Sequence, residues 1–95
     1  MQNKFKYLYE NPYGFTNQFH VYKVPQDMIG KAQELIDSYR GNPNGAAYWI
    51  TRKEAEKITA AERQKLREQN KMGLNPAQNP VGATSIEPIE YYLYR

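Results

Sequence analysis

The chain contains no cysteine, one histidine and two serines. Without cysteine there are no disulfides, no thiolate nucleophiles and no cysteine-bearing metal centres. His20 has no second histidine to complete a common zinc geometry. It sits mid-strand between Phe19 and Val21. A lone histidine there reads as a packed or half-exposed residue, and it becomes a general base only with partners brought from elsewhere. Ser38 and Ser85 lack the turn context of a nucleophile. No glycine-rich phosphate loop, nucleophile elbow or metal-binding loop occurs. The carboxylate pairs Glu34/Asp37 and Glu87/Glu90 have plainer explanations, a solvated helix face and a strand entry. The expectation is a protein that is not an enzyme, with no catalytic residues, no cofactor and no metal site.

Long apolar runs are missing too. Nothing approaches the roughly 18 residues of a membrane span. No apolar stretch follows the opening Met1-Gln2-Asn3-Lys4-Phe5-Lys6, so no secretory signal is predicted. Small secreted domains more often carry disulfides. The expected setting is therefore cytoplasmic, with no membrane partner.

What is present is one domain's worth of chain, residues 1–95. It is hydrophilic, with a mean hydropathy of −0.91. Nine tyrosines, three phenylalanines and one tryptophan nevertheless give it a core-forming vocabulary. The net charge of +3 permits anionic partners without requiring them.

Four Asn-Pro dipeptides, at 11–12, 42–43, 75–76 and 79–80, punctuate the chain. Between them, Lys4–Glu10 alternates as a strand, with Phe5, Tyr7 and Tyr9 on one face and Lys4, Lys6 and Glu10 on the other. Gln18–Val24 is a second strand, paired to the first as an antiparallel hairpin. After Pro25, the residues Met28, Ala32, Leu35 and Tyr39, with Ile29 and Ile36, trace an amphipathic helix ended by Gly41. Gly30 near its start costs about 1 kcal/mol against alanine. Ala46–Ile50 is a short strand. Thr51 and Glu54 form a capping box opening a helix over 52–72, which Gly73 ends. Thr59 and Glu62 repeat the capping pattern, but no glycine or proline interrupts the run, so one helix is favoured over two. Residues 74–84 read as a loop. Ile86–Arg95 reads as a terminal strand, with Ile89, Tyr91 and Leu93 on one face and Glu90, Tyr92 and Tyr94 on the other. The fold class is α+β: an antiparallel sheet of three or four strands in the order β-β-α-β-α-β, backed by two helices on one face, in two layers.

The run Thr51–Met72 holds seven of the thirteen basic residues and four of the ten acids. At 100° per residue, Lys53, Lys57, Arg63, Arg67 and Lys71 fall within about a third of the helix circumference. Ala55, Ile58, Ala61, Leu66 and Met72 fall opposite. Like charges at i, i+4 disfavour a helix by about 0.2–0.5 kcal/mol per pair. A helix face serving stability alone would carry glutamate there. A solvated face of a basic protein is the plainer account, and Glu56 and Glu68 dilute the stripe while Glu62 intrudes on the apolar side. The functional expectation is a small binding module whose five cations meet the phosphates of nucleic acid, or an acidic protein surface, without base specificity.

The alternative is a protein–protein module, an adaptor, inhibitor or homo-oligomer, using Tyr92 and Tyr94 on the terminal strand. Two nucleic-acid-binding patterns fail to complete. Ile50–Ala55 has the character of the opening of a helix-turn-helix, but Thr59-Ala60-Ala61 stands where the turn glycine belongs. The element order also differs from the βαββαβ of RNA-recognition sheets.

Overall fold

The computed structural model describes residues 5–12, 18–73 and 81–90. The elements are β1 (Lys6–Asn11), β2 (His20–Val24), α1 (Ile29–Ser38), β3 (Ala46–Ile50), α2 (Arg52–Lys71) and β4 (Ile86–Pro88), with a single 3-10 turn over Gln26–Met28 leading into α1. The fold is α+β, a four-stranded sheet with two helices. The strands lie in the order β3-β1-β2-β4.

The hairpin forms as expected, with Leu8 opposite Tyr22. On its other side β1 pairs antiparallel with β3, placing Leu8 opposite Trp49. β4 departs from the expectation: it runs parallel to β2, with Tyr22 beside Glu87, so the sheet is mixed. It is also short. Ile86–Pro88 pair, Ile89 turns away with its N–H donated to the Lys23 carbonyl, and Glu90 is helical. The expected strand therefore stops at Pro88, and its Tyr91–Arg95 portion lies outside the described residues. So does most of the expected 74–84 loop; its last residues, Val81–Thr84, have no regular structure.

The helices take opposite faces of the sheet, giving three layers where two were expected. Residues opposite one another across paired strands share a face. Leu8, Tyr22 and Val24 therefore lie on one face, where Met28 and Ala32 pack with them and with Ile89, and where Ile29, Leu35, Ile36 and Trp49 complete the cluster. That is the α1 side. Tyr9, Val21 and Tyr48 lie on the other face. There Tyr9 and Tyr48 form a groove with Ile58 and Ala61 of α2.

Topology explains the arrangement. Both β2 and β3 run antiparallel to β1, so the β2–α1–β3 and β3–α2–β4 connections are both parallel crossovers. They travel in opposite directions along the sheet. Crossovers of one hand that travel in opposite directions must use opposite faces.

β1 alternates with Lys6 and Glu10 on one face and Tyr7 and Tyr9 on the other. The face bearing Lys6 and Glu10 is the α1 face, because Leu8 lies between them and is fully buried. Glu10 is buried with it, and both its oxygens accept phenol donors, from Tyr39 at 2.7 Å and Tyr22 at 3.3 Å. On the same face, the Trp49 indole N–H donates to Gln33 Oε1 at 3.0 Å and ties β3 to α1.

A methyl group added at Gly30 would meet open space, so close packing does not explain this glycine. Gly30→Ala is expected to raise stability by about 0.5–1 kcal/mol, read as a higher melting temperature by calorimetry. An unchanged or lower melting temperature would contradict a regular helix at that position.

Candidate polyanion-binding surface

Twenty residues of α2 run without a break. The capping box forms at its start: Thr51 Oγ1 accepts the Glu54 N–H at 3.1 Å, and the Thr51 N–H donates to Glu54 Oε1 at 2.9 Å. These bonds hold the exposed Glu54 carboxyl below its usual pKa, the Thr51 backbone bond contributing most. The second capping pattern is not used. Thr59 is buried inside the helix, and its hydroxyl donates back to the carbonyls of Ala55 and Glu56.

The buried stripe of α2 is Ala55, Thr59, Glu62 and Gln69, with Ile58 and Leu66 half-buried. It recurs at spacings of four, three and seven, as a sheet-facing stripe should, yet three of its four buried residues are polar or charged. The expected apolar side held only in part. Ala61 is exposed at the groove, and Met72 is 72% exposed just past the last helical residue. Glu62, which looked like an intrusion, is an anchor. Its Oε1 lies 3.4 Å from the Gly82 N–H and its Oε2 lies 3.4 Å from Lys65 Nζ.

All five cations of the stripe are exposed: Lys53, Lys57, Arg63, Arg67 and Lys71. Their span along the axis is about 27 Å at 1.5 Å per residue. Arg63 donates to the Thr84 carbonyl at 2.9 Å, and Arg67 to Gln64 Oε1 at 2.8 Å; both bonds orient a guanidinium without neutralising it. Among the described residues, no carboxylate forms an ion pair with any of the five. The four acids of the helix are engaged elsewhere. Glu54 serves the cap, Glu56 pairs with Arg52 at 3.1 Å, Glu62 is buried beside Lys65, and Glu68 accepts from Gln64.

A second basic feature lies where α2 begins, and the sequence pattern did not reveal it. The start of β1 and the β3–α2 junction enclose an open cleft of about 380 Å³ lined by Phe5, Lys6, Tyr7, Trp49, Arg52 and Glu54, among others. Lys6 Nζ stands 5.2 Å from the centroid of the Trp49 ring. Lys23 Nζ stands 4.7 Å from that of Phe5. Lys6 shares its face of the sheet with Trp49 while Tyr7 lies on the opposite face, an arrangement across strands that the local sequence does not signal.

His20 is less isolated than its sequence suggests. The parallel β2–β4 pairing brings Glu87 to it, with Nδ1 and Oε2 3.7 Å apart and both side chains about half exposed. The pair lines a cavity of about 510 Å³ together with Thr84 and Ser85. At 3.7 Å the carboxylate makes no hydrogen bond to fix the imidazole tautomer. Among the described residues, no group of three histidines or carboxylates is placed to hold a metal ion, and no helix is long and apolar enough to cross a membrane. Tyr92 and Tyr94 lie outside the described residues. No protein-family model matches the chain, and no curated protein and no solved structure is significantly similar to it.

Proposed function

We propose that the protein is a non-enzymatic binding module that holds nucleic acid or another polyanion along α2. What carries this reading is the division of labour on the helix. Five cations face solvent on one side, while the four acids are occupied with the cap, with Arg52, with Lys65 and with Gln64. Binding to a phosphate or sulfate chain is driven largely by release of its condensed counterions, and a row of solvated cations supplies that. The orienting bonds of Arg63 and Arg67 lower the entropy lost when they engage.

Heparin chromatography tests this directly. The protein is expected to be retained at about 50 mM salt and released by moderate salt. Passage straight through the column at 50 mM would contradict the reading.

A further inference from the structure

The cleft at the start of α2 combines flat rings with cations, and the stripe of α2 leads away from it. Phe5, Tyr7 and Trp49 line the cleft, Trp49 from the α1 face of the sheet and Tyr7 from the other. The Trp49 indole is fixed in place by its bond to Gln33, so a ligand meeting it finds the ring already oriented. Lys6 over Trp49 and Lys23 over Phe5 show that these rings attract positive charge from one side. Of these two lysines, Lys6 lines the cleft, a cation available to a phosphate beside a stacked base. Arg52 lines the cleft and Lys53 follows it on the helix. Glu54 is the negative group among the described lining residues, an acceptor suited to a base amino group and not to a phosphate.

We propose that this cleft receives unpaired bases of a single-stranded nucleic acid whose phosphates continue onto the α2 stripe. The inference rests on the polyanion reading above and narrows it to one ligand class. Stacking on aromatic side chains is tolerant of sequence, because every base has a π-face, and it requires bases freed from a duplex. A duplex reaches the solvent-facing cations of α2 but keeps its bases stacked within itself, away from the cleft.

Trp49 is the sole tryptophan, so its fluorescence reports on the cleft alone. The protein is titrated with an oligothymidine of about ten nucleotides, with an abasic strand of equal charge, with a duplex and with heparin. The oligothymidine is expected to quench Trp49. It is also expected to bind more tightly than the abasic strand, by about 5- to 150-fold for each stacked base. Phe5→Leu, which keeps apolar bulk and removes the ring, is expected to weaken oligothymidine binding and leave heparin retention unchanged. Equal affinity for the abasic strand, a silent Trp49 or an indifferent Phe5→Leu variant would each overturn the proposal. Heparin retention with a silent Trp49 removes the cleft and spares the helix; failure of every polyanion to bind removes both.

Discussion

Replacing Glu10 with alanine is expected to destabilise the protein by about 3 kcal/mol, read as a lower urea midpoint at unchanged slope. The carboxylate is 1% exposed, so water cannot take over its role. Its removal takes the acceptor from the hydroxyls of Tyr39 and Tyr22 together. Hydrogen bonds to a charged group contribute about 1.5–3 kcal/mol each, and the truncated side chain leaves unfilled volume. Relief from burying a charge offsets part of the loss, so the total falls below the simple sum. Against a typical domain stability of about 5–15 kcal/mol, this is a large fraction. Glu10→Gln keeps one acceptor oxygen and is expected to cost about half as much. A Glu10→Ala variant within about 0.5 kcal/mol of the parent would mean that Glu10 does not join β1, β2 and the end of α1.

Glu10 also shows why part of the fold was hidden in the sequence. Judged by its own strand, β1 has a polar face of Lys6 and Glu10 and an aromatic face of Tyr7 and Tyr9. The partners that make a buried carboxylate acceptable stand 12 and 29 residues away, and no local pattern announces them. Once Leu8 and Glu10 face α1, the aromatic face is left for α2, and the three-layer arrangement follows. Features set by neighbours in sequence were legible: the Met28–Ala32–Leu35–Tyr39 spacing of α1, the Thr51/Glu54 cap, the absence of breakers through Lys71, and Gly41 and Gly73, which adopt positive φ after the two helices. The stripe of α2 was legible for the same reason, since a helix fixes the direction of its side chains. The Lys6–Trp49 cleft and the His20–Glu87 approach depend on strand register. The direction of β4 depends on where α2 delivers the chain. Those are long-range facts that periodicity does not contain.

Reversing two cations of the stripe, Lys57→Glu with Arg67→Glu, is expected to lower polyanion affinity by at least about tenfold near physiological salt. Both side chains are exposed, so the fold should be unaffected. Net charge alone would also fall, and a matched control separates the two causes. Lys31→Glu with Arg40→Glu makes the same change in charge at exposed positions on α1 and just beyond it. A global charge effect weakens both variants equally, whereas a site on α2 weakens the first far more.

The most direct measurement is the dependence of single-strand affinity on salt, plotted as log K against log salt concentration. Five phosphate contacts give a slope of about −3.5, and the double reversal on α2 should bring it towards zero by about 1.5–2, while the control variant keeps the parent slope. A slope near zero for the parent, or one that the α2 reversal leaves unchanged, would contradict binding through this helix.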